Sequence, residues 1–249
     1  MVSMMKNNLI NLSKQVLLTL GLTTICSNAP ARALTLTSSD VNNSFDIKWV
    51  LEAGESDNDG GATSSIDLSA KASFTLTNFD VDFNGDEDRI RLEVEFQNNT
   101  TLSSTVTEAG ITTFGFGINP NADSVIIGDL IGNNGDSDSF SNAIVQTKNT
   151  NFPGGFKNID VCVFTDNNCK GGGQGTALAA GSTDNFFLEI FGDFSDSVEL
   201  TPFAIKYQTT EDSFEFAGNE KTEIPEPGMI VALSLFAFSF LIGLQKQKN

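Results

Sequence analysis

The chain has 249 residues, with 14 Lys and Arg against 32 Asp and Glu, a net charge of −18 and no histidine. Without histidine there is no His-based acid–base catalysis, no Ser-His-Asp or Cys-His nucleophile pair and no His-bearing zinc site. The acidic balance excludes nucleic acid as a partner, because phosphate binding needs clustered Lys and Arg. With 39% hydrophobic residues, including 21 Phe, the chain can still build a core.

Residues 1–33 read as a secretory leader, a signal peptide. Lys6 and Lys14 make a positive start, and Val16 to Cys26 is an apolar run too short to span a bilayer. Ala31-Arg32-Ala33 is a small-x-small cleavage site, with Ala29-Pro30-Ala31 as a second candidate. Cleavage after Ala33 leaves a mature chain that begins at Leu34. The large Ile25 before Cys26 rules out lipoprotein processing at that cysteine.

The segment 34–221 reads as one ectodomain. Between Leu34 and Ile224 lie 9 basic and 31 acidic residues, a balance of −22 that keeps the domain soluble and attracts cations. Apolar residues alternate with polar ones almost throughout. The clearest runs are Phe45/Ile47/Trp49, Ile66 to Leu76, Ile90 to Phe96, Phe114/Phe116/Ile118, Ile159/Val161/Val163, Phe186/Leu188/Ile190 and Phe203/Ile205/Tyr207. Period-2 patterning broken by Asn, Gly, Asp and Ser clusters predicts half-buried strands joined by turns. The expected fold is therefore all-β, an antiparallel β-sandwich of eight to ten strands, jelly-roll-like. Trp49 and Tyr207, each the sole residue of its type, are expected to anchor the core. Acidic residues and the proline pair mark Ser213 to Ile224 as a linker.

The most specific local feature is Asp80-Val-Asp82-Phe-Asn84-Gly85-Asp86-Glu87-Asp88. Oxygen ligands at alternate positions around a glycine resemble an EF-hand loop, but Arg91 stands where that loop needs its Glu. Two readings stay open. One is a simpler calcium site built from Asp80, Asp82, Asn84, Asp86 and Asp88; the other is a solvated acidic turn. Asp57-Asn58-Asp59 and Asp136-Ser137-Asp138 are weaker versions and read as turns. Cys162 and Cys169 are the only cysteines after leader removal, and an even pair in an exported chain predicts a disulfide. Lys170 precedes the glycines of Gly171 to Gly175, opposite to a phosphate-binding loop, so that run reads as a flexible loop. Glu93 and Glu95 share a strand face and read as exposed charges. The expected function is structural or adhesive rather than enzymatic. The alternatives are a calcium-dependent carbohydrate-binding module acting on extracellular polysaccharide and, more remotely, a His-free glycoside hydrolase.

Residues 222–249 form the last segment. Ile224-Pro225-Glu226-Pro227-Gly228 interrupts regular structure, and Met229 to Leu244 follows without a charge. As a helix it is about 24 Å long, slightly short of the ~30 Å hydrocarbon core, and reads as a transmembrane span over 229–244. Lys246 and Lys248 after it hold that end in the cytoplasm. This arrangement of Pro225, Glu226 and Pro227, the apolar span and a basic end resembles the PEP-CTERM sorting signal of bacterial envelope proteins. That family usually ends in an arginine cluster, and this chain carries lysines there. The ectodomain is similar to the cyanobacterial cistern group of PEP-CTERM proteins in Ile111 to Gly117, Ile159 to Cys162 and Gly171 to Gly175. The resemblance implies export by the secretion translocase, anchoring in the membrane through the C-terminal span, and recognition by an exosortase. The enzyme removes the tail and leaves the protein at the cell surface or outside the cell. It implies no particular biochemical activity.

Overall fold

The computed structural model describes residues 33–83, 87–130, 138–146, 152–166 and 168–220. They belong to one compact unit, Ala31–Asn249, and none of the residues of the other unit, Met1–Pro30, is described. Among the described residues no helix is long and apolar enough to cross a membrane, and 229–244 lies outside them.

The described residues form eleven strands: β1 (Leu34–Thr37), β2 (Ser44–Leu51), β3 (Leu68–Phe83), β4 (Glu87–Asn98), β5 (Ala109–Asn119), β6 (Ala122–Asp129), β7 (Asn142–Val145), β8 (Val161–Phe164), β9 (Thr183–Gly192), β10 (Ser197–Thr209) and β11 (Ser213–Glu220). Every pairing is antiparallel. The ladder is one continuous sheet in the order β6-β9-β4-β3-β2-β11-β10-β5-β8-β7, with β1 added beside β10. The described residues therefore adopt the expected all-β antiparallel class, with eleven strands where eight to ten were expected. The sheet curls until its end strands, β6 and β7, contact each other, which makes it nearly barrel-shaped.

The period-2 pattern explains the curl. One face of each long strand is apolar and turns inward. In β3, Leu68, Ala70, Ala72, Phe74 and Leu76 are buried while the residues between them are not. Strands distant in the ladder meet across the interior. Phe74 lies 6.3 Å from Phe116 of β5 and 6.1 Å from Phe203 of β10. Phe96 of β4 lies 5.3 Å from Trp49 and 4.6 Å from Phe114. Such ring pairs contribute about 0.5–1.5 kcal/mol each beyond their area burial. Trp49 and Tyr207 are fully buried, as expected. The Tyr207 hydroxyl donates to the Ser69 carbonyl (2.7 Å) and lies within hydrogen-bond distance of Asn98 Oδ1 (3.2 Å), tying β10 to β3 and β4. Burial pushes this phenol far above its ordinary pKa.

The stretch from Ser213 departs from expectation. Residues 213–220, read as linker on their acidic content, are β11. Phe214 and Phe216 face the core, and Glu215 is neutralised by Lys206 at 2.7 Å. β5 also differs from its neighbours: it is buried on both faces. Phe114 and Phe116 point inward, and a second apolar cluster covers the outer side. That cluster holds Phe152, Phe156, Ile159, Cys162, Phe164 and Cys169. Gly115 and Gly117 make the approach feasible. A Cβ at Gly115 would lie 2.7 Å from the Val161 carbonyl, and one at Gly117 would collide with the Asn158 and Thr201 carbonyls. The Cys162–Cys169 disulfide, with Cα atoms 6.0 Å apart, is present in this cluster. Closing its short loop stabilises the fold by about 2.5 kcal/mol on the chain-entropy account.

Candidate functional site: the acidic turn and the outer face of β4

The acidic motif lies where β3 turns into β4. Asp80, Asp82 and Asp88 are described there; Asn84 and Asp86 lie outside the described residues. Asp82 turns the chain at φ +59°, a backbone state that Asp tolerates better than most residues.

Asp88 is buried, and both carboxylate oxygens are engaged. Oδ1 accepts the backbone N–H of Asp82 (2.7 Å), and Oδ2 accepts those of Phe194 (2.7 Å) and Ser195 (3.0 Å). The Asp82 amide, followed by those of Phe194 and Ser195, holds this carboxyl below its ordinary pKa, while partial desolvation opposes the effect. Asp88 thus clamps the β3–β4 turn to the β9–β10 turn. Asp80 faces outward against Arg89, with Nη2 donating to Oδ2 at 2.7 Å. Two of the three described candidate ligands are therefore held by donors of the protein. Among the described residues no group of three or more Asp, Glu, Cys or His side chains converges on a point where a metal ion could sit. The described part of the motif does not fit a calcium cage. It fits a clamp and a surface ion pair.

The same face carries an arrangement that sequence reasoning missed. Arg89 and Arg91 are the only arginines between Leu34 and Glu220. They project from β4 on the face opposite the buried Ile90 and Leu92. Glu189 of β9 stands between them, 3.4 Å from Arg89 and 3.1 Å from Arg91. The Arg89 guanidinium lies 4.0 Å over the Phe83 ring, and that of Arg91 lies 3.8 Å over Phe187. Phe187 in turn lies over Gly128 of β6, where a Cβ would strike its ring. The result is a flat outer surface in which cations, carboxylates and phenyl rings alternate and compensate one another. Its only signal in the sequence is the alternation Arg89-Ile90-Arg91-Leu92; Asp80 and Phe83 come from the adjoining strand β3, but Glu189 and Phe187 come from β9, about 100 residues away.

The other candidates are dispersed. Asp57 Oδ1 accepts the backbone N–H of Gly61 (2.8 Å) and Ala62 (3.3 Å), which closes a turn. Burial, with a smaller contribution from the Asp59 charge, raises its pKa, and the two amide bonds oppose the rise. Glu93 and Glu95 lie on the outer face of β4, opposite Thr75 and Ser73 of β3. Of Asp136-Ser137-Asp138, only Asp138 is described, in the connection before β7. Pro225, Glu226 and Pro227 lie outside the described residues. A shallow groove of about 260 Å³ between Leu102, Glu108, Gly110, Gln174 and Ala180 brings no catalytic constellation together.

Comparison with family models, curated proteins and solved structures finds no significant match.

Proposed function

We propose that this chain is exported and sorted to the cell surface or the extracellular matrix, where its acidic β-domain serves a structural or adhesive role and catalyses no reaction. The observation that carries this reading is the C-terminal order of Pro225-Glu226-Pro227, the uncharged run Met229–Leu244 and Lys246 and Lys248, in a chain that opens with a leader. In this reading the translocase exports the chain, 229–244 crosses the membrane as a single helix, and an exosortase acts near Pro225. Three features support it. A disulfide suits an oxidising compartment. The domain carries a large excess of acidic charge, which favours solubility outside the cell. The carboxylates of the acidic turn are engaged as structural acceptors rather than poised around a cleft. We read the curled sheet as sandwich-like, its opposed walls packed through Phe74, Phe116 and Phe203.

The test replaces Pro225, Glu226 and Pro227 together with Ala in a host that possesses the processing enzyme. The natural chain is expected at the surface with both ends shortened. The variant is expected in the membrane fraction with its tail intact. Equal processing of both chains, or retention of the natural chain in the cytoplasm, would overturn the reading.

A further inference from the structure

One edge of β10 is shared by two strands. β11 takes the part from Gln208, opposite Ser213, to Phe203, opposite Gly218. β1 takes the part from Leu200, opposite Leu34, to Ser197, opposite Thr37. Only Thr201 and Pro202 lie between the two. Both strands run antiparallel to β10, so the end of β11 meets the start of β1 head to tail. β11 leaves β10 after Gly218 and finishes on β2, where Gly218, Asn219 and Glu220 pair with Trp49, Lys48 and Ile47. β1 then takes over the edge of β10 and buries Leu36 there. Each strand blocks the straight path of the other. The chain before Leu34 and the chain after Glu220 must therefore leave the sheet at one place.

Tether length gives this placement its meaning. Residues 27–33 separate the apolar run of the leader from Leu34, and residues 221–228 separate Glu220 from Met229. Fully extended, these segments reach about 25 Å and about 29 Å. The longest strand, β3 with 16 residues, is about 50 Å long at the usual rise, so tethers leaving its opposite ends would both reach one bilayer only with the strand lying along it. From a common point both reach it with the strands standing upright as well.

We propose that the domain is mounted on the lipid bilayer at this single point, and that it folds to completion while its leader and its tail are both still embedded. This rests on the sorting function proposed above. Release then takes two cuts at neighbouring joints, and neither cut needs the domain to unfold.

The test uses the full chain in membrane vesicles, with Cys26→Ser, Thr35→Cys and Asn219→Cys. It compares a leader kept by Ala31→Leu and Ala33→Leu with a cleavable one. A short bismaleimide is expected to join residues 35 and 219 equally in both. A control pair, Lys48→Cys with Asn219→Cys, reports that β2 and β11 have paired. A cross-link that appears only after leader removal overturns the proposal, as does a control pair that links while 35 and 219 do not. A chain that carbonate washes off the vesicles overturns the sorting function itself, whether or not it cross-links.

Discussion

At the scale of single residues, the acidic turn shows how position decides what a carboxylate does. Asp80 and Asp88 belong to one run of like residues, yet one faces solvent and a guanidinium while the other is buried on three backbone amides. Asp88→Ala leaves those amides without acceptors and is expected to cost about 2–3 kcal/mol, read from the urea midpoint at neutral pH. The carboxyl's pKa is lower in the fold than in the unfolded chain. Its contribution is therefore complete above the ordinary value of about 3.9 and disappears as pH falls through the folded value. The gap between wild type and Asp88→Ala should thus be full at neutral pH and close below about pH 4. Calcium is expected to leave the thermal midpoint of the protein unchanged relative to chelator, because Arg89 and three amides already hold the two ligands. An upward shift lost on Asp82→Ala would revive the calcium site.

At the scale of elements, β5 depends on its glycines. Alternation in 111–118 read as an ordinary strand with one wet face. Instead the outer face is roofed by Phe152, Ile159 and the disulfide. Gly115 and Gly117 are where another stretch of backbone comes closest. Gly117→Ala drives a methyl group into two carbonyl oxygens and is expected to cost more than about 2 kcal/mol, the range of overpacking. Gly175→Ala, where nothing lies within 4 Å of an added Cβ, should be close to neutral. Chemical denaturation of the two variants side by side checks this. β11 shows the complementary case. Its acidic residues suggested a linker, but Phe214 and Phe216 at alternate positions carry the strand, and Lys206 satisfies Glu215 from the neighbouring strand.

At the scale of the whole molecule, charge is the dominant field. A balance of −22 over 34–224 opposes compaction through self-repulsion, and only five salt bridges are formed among the described residues. Raising monovalent salt from about 0.01 M to about 1 M shortens the screening length from ~30 Å to ~3 Å. The thermal midpoint is expected to rise with it, and a midpoint that falls would mean that the few ion pairs outweigh the repulsion. A fold built from one curled sheet also has few free edges, which limits edge-to-edge association.

The sequence by itself determined the all-β class, the inward residues of seven of the strands, the core positions of Trp49 and Tyr207, and the pairing of Cys162 with Cys169. Each of these is a local or compositional property: a side-chain period of two, a single bulky residue of its kind, an even count of thiols. Only the tertiary structure decided that the strands close into one sheet, that Arg89 and Arg91 meet Glu189 and Phe187, that Asp88 is a clamp, and that β1 starts beside the point where β11 leaves β10. Most of these depend on contacts between strands distant in the sequence, about 100 positions apart for Arg89, Arg91 and Asp88 and more than 150 for β1 and β10. Alternation tells a strand which face is inward, but it does not tell the strand which neighbour it will have.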